Sequence, residues 1–170
     1  VTGKLFALLT LDGQTYRELV TIDPVTGIAT SIGDTGDIFT ELAVDNDGVL
    51  YGVTDTASEG AVMPETLFTL DKATAVPTAV PGVTLTSDDT GDAIAYSQQD
   101  GFIYRATGKY GTPTDTRLIE AVDPDTGLVQ NVVINFVGPA NTEYDQIEGL
   151  TYDPIANVLL ASALDGNLYT

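Results

Sequence analysis

The chain has 170 residues and carries 25 Asp and Glu against 6 Lys and Arg, a net charge of −19. Its six cations, Lys4, Arg17, Lys72, Arg105, Lys109 and Arg117, are scattered singly, so the clustered basic surface needed by nucleic acid or an anionic membrane is missing. The absence of Cys and His removes disulfides, the usual nucleophile–base pairs and thiolate or imidazole metal sites.

Hydrophobic residues make up 43% of the chain, enough for a folded core rather than a disordered tail. No apolar run approaches the roughly 18 residues of a membrane helix. The opening "VTGKLFALLT" lacks a basic start and a small-residue cleavage site, so no signal peptide is visible and an exported protein would be present here in its mature form. The expected location is extracellular, periplasmic or the cell surface.

In chain order, a first strand is expected over 4–10. "TIDPVTGIATSIG" (21–33) then reads as two strands around a tight turn. "LAVDNDGVLYGVT" (42–54) reads as a hairpin through Asp47-Gly48. The next unit is the clearest, with strands expected over 40–45, 49–54, 66–71 and 76–80. "TLDKATAVPTAV" (69–80) repeats the first turn in blurred form. "IAYSQQDGFIYRAT" (94–107) repeats the hairpin and "AVDPDTGLVQNVV" (121–133) repeats the turn. "LTYDPIANVLLASA" (150–163) is a third hairpin, and "GNLYT" closes the chain.

The turn aspartates, Asp23, Asp71 and Asp123, recur about every 50 residues. Asp23 and Asp123 are placed to bond the backbone two residues on. Pro24 and Pro124 preset φ, and Gly27 and Gly127 supply the left-handed position. The middle copy has Lys72 and Ala75 in place of Pro and Gly, so a looser turn is expected there.

Helical periodicity is nearly absent, and Val, Ile, Thr and Tyr dominate the apolar runs. Four short antiparallel strands in each 45–55 residues is the period of a β-propeller blade. The expected fold is therefore all-β: one β-propeller domain, or part of one, with units near 1–39, 40–90, 91–144 and a partial 145–170. That is about three and a half four-stranded blades. Apolar pairs fall in register at Leu5-Phe6, Leu50-Tyr51, Ile103-Tyr104, Leu67-Phe68 and Leu168-Tyr169. One member of each is expected to pack between blades. The strings "ELAVDNDGVLYGV", "LVTIDPVTG", "EGLTYDPIANVLL" and "AVDPDTG" resemble bacterial secreted β-propeller repeat proteins, whose units read roughly G-L-A-x-D-x-x-G-x-L-Y followed by L-Y-x-I-D-x-x-T-G. That resemblance spans nearly the whole chain and implies architecture. It implies little about function, because the fold hosts very different tasks.

The first unit lacks its innermost strand and the last its outermost, so open strand edges are expected at both ends. Leu5, Phe6, Leu168 and Tyr169 are the contact residues expected there, and strands of a second chain or of further sequence would cover them. Since the two ends differ, pairing of copies would be head-to-tail.

No pair of carboxylates stands out as catalytic, and no phosphate-binding glycine motif is present. The string Asp-Thr-Gly-Asp occurs twice between units, giving Asp34, Asp37, Asp88, Asp89 and Asp92 as candidate Ca²⁺ ligands, with a solvated acidic turn as the alternative. The longer connections, 54–65, 107–116 and 138–146, would emerge on one face with Met63, Tyr110 and Tyr144 as contact residues. The expected function is a non-catalytic, extracytoplasmic module for protein assembly or adhesion whose partners are copies of itself. Two alternatives remain: a carbohydrate- or Ca²⁺-dependent binding module on the long-loop face, and a fragment of a larger propeller hydrolase.

Overall fold

The computed structural model describes residues 4–86, 92–107, 118–133, 147–163 and 166–170. They form fourteen strands in four antiparallel sheets, with no α-helix among the described residues. The first sheet contains β1 (Leu5–Leu9), β2 (Glu18–Ile22) and β3 (Ala29–Asp34). The second contains β4 (Phe39–Val44), β5 (Leu50–Thr54), β6 (Leu67–Leu70) and β7 (Pro77–Ala79). The third contains β8 (Asp92–Tyr96), β9 (Ile103–Thr107), β10 (Leu118–Val122) and β11 (Val129–Val133). The fourth contains β12 (Ile147–Asp153), β13 (Val158–Ala163) and β14 (Leu168–Tyr169). Every sheet is a simple meander in chain order. The four strands of the second sheet lie within two residues of the sequence expectation, because turn chemistry brackets each of them.

Consecutive residues of a strand point to opposite faces, and here both faces are apolar. β5 is buried along its whole length. Its Leu50 joins the layer between the first and second sheets, with Leu19, Phe39 and Phe68. Its neighbour Tyr51 joins the layer between the second and third, with Val53, Ile94 and Ile103. A third layer, rich in alanine (Ala93, Ala95, Ala106, Ala161), lies between the third and fourth sheets. The apolar pairs thus split in the inner sheets, with one member in each neighbouring layer. In the outer sheets only one member reaches a layer. Phe6 and Tyr169 pack inward, while Leu5 is 51% and Leu168 67% exposed.

The repeated turn joins the sheets. At all three copies the left-handed residue donates its N–H to the aspartate carbonyl: Gly27 to Asp23 (2.8 Å), Ala75 to Asp71 (2.8 Å) and Gly127 to Asp123 (2.9 Å). Their φ values are +71°, +63° and +74°. The middle turn is therefore as tight as its glycine-bearing copies, contrary to the looser turn that Lys72 and Ala75 led us to expect. Ala75 is fully buried, and the residue facing it across the seam, Gly33 of β3, has no Cβ; one placed there would sit 3.4 Å from the Cβ of Ala75 and 3.0 Å from the carbonyl oxygen of Thr74. Burial of one methyl in a glycine notch offsets the cost of positive φ. At the next seam the bare residue is on the turn: Gly127 abuts Pro81 and Gly82, where a Cβ would lie 2.5 Å from a carbonyl oxygen. Gly27 has no neighbour within 4 Å of the corresponding position.

This contrast predicts two costs that can be measured apart. Gly27→Ala and Gly127→Ala impose the same left-handed penalty, about 1–2 kcal/mol. Only Gly127→Ala also forces a backbone contact, adding about 1–3 kcal/mol. Urea unfolding of both variants should show the second to be clearly the less stable.

Candidate functional site

Alternate connections of a meander lie at the same end, so among the described residues the tight turns lie at one end, the short-turn end, and the connection 55–66 at the other, the long-loop end. At the short-turn end the acidic residues are turn-formers. Asp23, Asp45, Asp71, Asp123 and Asp153 each accept the N–H two residues on, at 2.8 to 3.0 Å. The carboxyl of Asp23 is held below its ordinary range chiefly by the Val25 N–H, and that of Asp71 by the Ala73 N–H. For Asp123 the hydroxyl of Thr126 leads, at 2.6 Å. Tyrosines of the second strands cover these turns. The Tyr51 hydroxyl donates to Asp45 and the Tyr104 hydroxyl to Asp100 (2.7 Å). Burial first, then the adjacent carboxylate, pushes both phenols up to about 12. At Asp100 burial acts upward, but hydrogen bonds from Tyr104, Ser97 and Phe102 outweigh it and lower the carboxyl.

The long-loop end is built differently, with buried polar groups holding loops in place. The link after β3 runs between Arg17 and the long connection 55–66. The Thr35 N–H donates to the Arg17 carbonyl (2.9 Å), Arg17 N–H to the Asp37 carbonyl (3.1 Å) and Asp55 N–H to the Ile38 carbonyl (2.8 Å). Asp37, 4% exposed, points its carboxylate into that long connection. Oδ1 accepts the N–H groups of Ile38 (2.8 Å) and Val62 (2.7 Å), and Oδ2 that of Met63 (2.9 Å). Asp34 accepts the Gly36 N–H at 2.7 Å. The three N–H groups bound to Asp37 tie the link after β3 to the long connection. Asp37 is a loop clamp. Among the described residues no three carboxylates come together in a cluster able to hold a metal ion.

A buried ion pair adjoins the same loop. Arg105 of β9 and Glu120 of β10 are cross-strand partners and are 1% and 0% exposed. Arg105 donates to Glu120 at 2.7 Å and to the Thr86 carbonyl at 3.0 Å, and the Thr86 N–H returns a bond to Glu120 at 2.7 Å. Glu65, at a left-handed φ of +48°, lies 3.8 Å from the same guanidinium. The pair therefore ties the third sheet to the segment leaving the second and to the long connection. In the second sheet the aligned positions are Gly52 and Phe68. There the Phe39 ring fills the space over Gly52 and meets Phe68 edge-on at 5.4 Å.

Met63 is about half exposed beside exposed Val62, on a loop held from below by Asp37. Leu5 and Leu168 are exposed, whereas Phe6 and Tyr169 turn inward. Asp88, Asp89, Tyr110 and Tyr144 lie outside the described residues, as does the side chain of Asp92, whose backbone opens β8.

Two features escape the sequence reading. Arg105 counts there only as one of six scattered cations, although a lone charge inside "IYRAT" and another inside "LIEAV" signalled a buried pair. The second is Glu41 of β4. It accepts the Ile94 N–H of β8 at 3.0 Å and also the Leu150 N–H of β12. Burial, outweighing those two bonds, pushes its carboxyl from 4.5 up to about 7. The signal lay in the repeat alignment, where Glu41 stands against Ala93 and Gly149. One large acidic residue faces two small ones.

No protein-family model matches this chain, and no curated protein matches it significantly.

Two variants test the clamps. Asp37→Ala should cost about 3 kcal/mol, since it removes charge-assisted bonds to two loop amides; limited proteolysis should then cut within 55–66. Arg105→Ala should cost about 3–5 kcal/mol by stranding Glu120, whereas the apolar double replacement Arg105→Leu with Glu120→Leu should recover most of that stability. Chemical denaturation of the three variants measures both.

Proposed function

We propose that this chain is a non-catalytic, extracytoplasmic β-propeller module whose task is protein assembly, with copies of itself as partners. The observation that carries this reading is the repeated seam. Ala75 seats against Gly33, and Gly127 against Pro81 and Gly82, so each turn fits the unit before it. The same turn in the first unit presents Gly27 to open space, and Leu5 and Leu168 extend the apolar pattern onto exposed surface. In stacked repeats each unit buries its neighbour's face, so the open Gly27 turn, Leu5 and Leu168 are faces for a further unit to cover. A second copy of the chain supplies a unit of matching shape, and because the two ends differ the contact is head-to-tail.

The non-catalytic part of the reading rests on how the charged groups are used. The chain has no His or Cys, and Asp37, Arg105 and Glu120 spend their charge on holding loops and strands. A second reading, ligand binding at the long-loop end, draws on Val62 and Met63, which are exposed on a loop whose backbone is fixed by Asp37.

Sedimentation equilibrium on the 170-residue chain tests assembly. The expected result is concentration-dependent association that Leu5→Asp or Leu168→Asp weakens at least tenfold. A wild-type chain that stays monomeric at millimolar concentration overturns the reading. Association unaffected by either substitution would move the contact to the loop end, where Met63→Asp is the matching test.

A further inference from the structure

The outer strands β3, β7 and β11 stand last in their sheets and, among the described residues, pair on one side only. An unpaired strand edge is a template for a further strand, and charges or proline guard against that. β3 ends in the exposed Asp34. β7 has only three residues, one of them Pro77, which has no N–H to donate. β11 has neither guard. From Thr126 to Thr142 no residue carries a charge, the longest such run in a chain of net charge −19.

β11 also differs from its counterparts in what covers it. Ile32, Val80 and Val132 each stand five residues beyond the left-handed residue of their turn. Ile32 packs against the first apolar layer and Val80 is buried in the second. Val132 is 42% exposed, next to a fourth sheet that has three strands among the described residues. Leu128, just before β11, is 53% exposed. Leu128, Gln130 and Val132 share one face of the strand, and all three are exposed.

The backbone of β11 is set for a partner. The Leu128 carbonyl accepts the Asp123 N–H at 2.9 Å, and the register with β10 is regular from there on. Backbone groups of Leu128, Gln130 and Val132 therefore face β10, and those of Val129 and Asn131 face away from it.

We propose that β11 is a second self-association site, at which two copies of the chain join β11 to β11, antiparallel, about a two-fold axis through Gln130. A two-fold axis normal to the sheet keeps every side chain on its own face, so opposed positions must differ by an even number. Centred on Gln130, it sets Leu128 of each copy opposite Val132 of the other, and Gln130 opposite itself. Apolar meets apolar and amide meets amide. Val129 of each copy then exchanges both backbone bonds with Asn131 of the other, using the groups that face away from β10. An axis through Asn131 would instead set Gln130 against Val132. A second copy is the occupant that this pattern selects, because the strand is complementary to itself. It also brings no like charges face to face, which two chains of net charge −19 require of any close contact.

This contact is separate from the head-to-tail contact of the end units, and neither depends on the other. It uses none of Leu5, Leu168 and Gly27.

The experiment uses the full 170-residue chain carrying Leu5→Asp and Leu168→Asp, which removes the end contact and leaves β11 untouched. Sedimentation equilibrium should show a monomer–dimer equilibrium that goes no further than the dimer. Adding Gln130→Lys or Gln130→Glu sets like charges directly opposite and should weaken the dimer about fivefold in each case. An equimolar mixture of the two should associate more tightly than either alone, because the axis then sets Lys against Glu. Amide NMR of the chain with Gln130 intact should show residues 128–132 shifting on dilution. A chain that stays monomeric to millimolar concentration overturns the proposal and leaves the β11 edge to a strand of another protein. A dimer unaffected by both Gln130 variants, or a mixture no tighter than its components, overturns it as well.

Discussion

A strand whose successive residues are all apolar has no side to give to water. Leu50 and Tyr51 are adjacent, point in opposite directions and are both buried; so are Leu67 and Phe68. A sheet built from such strands is stable only when covered on both faces. Each sheet takes the next sheet in the chain as its cover. The serial stacking of four sheets, with three apolar layers between them, follows from that one requirement.

The layers are made by different residues although the units repeat. Phe39, Phe68 and the notch at Gly52 fill the first seam. The second contains Val53, Ile94 and Ile103 together with the Arg105–Glu120 pair. Alanines fill much of the third. Interiors are close-packed, so a large residue on one sheet needs a small one opposite. Ala75 against Gly33, and Glu41 against Ala93 and Gly149, are two instances. The repeat thus preserves backbone geometry, and local exchange of large and small residues makes each seam specific.

Polar groups are buried mainly where backbone at the long-loop end has no strand to bond. Asp37 satisfies amides of the long connection, and Glu120 and Arg105 satisfy Thr86. Buried backbone donors left without partners are costly, and a carboxylate serves several at once. Among the described residues, acidic side chains serve in two ways. At the short-turn end, exposed aspartates shape turns. At the long-loop end buried carboxylates, and at β4 the half-buried Glu41, accept backbone N–H groups.

The strand boundaries were legible because Asp, Pro, Thr and Gly at the turns act within a few residues. Asp23 and Asp123 behave as their local sequence dictates, and so does Asp71, where only the substitution at Ala75 misled. That error has a tertiary cause, since the methyl that makes positive φ unfavourable is buried against a residue 42 positions earlier in the chain. Asp37 likewise owes its partners to tertiary contacts. Its string Asp-Thr-Gly-Asp reads as a cation site, and only folding brings the amides of Val62 and Met63, 25 and 26 residues away, onto its carboxylate. Arg105 with Glu120, and Glu41 with Ile94 and Leu150, are likewise pairs that strand pairing and sheet packing create. By itself the sequence determined the all-β class, the order of the strands and the turns between them, because these depend on local φ preferences and side-chain alternation. Tertiary structure alone decided which buried charges meet which partners, because that depends on register and on contacts between sheets distant in the chain.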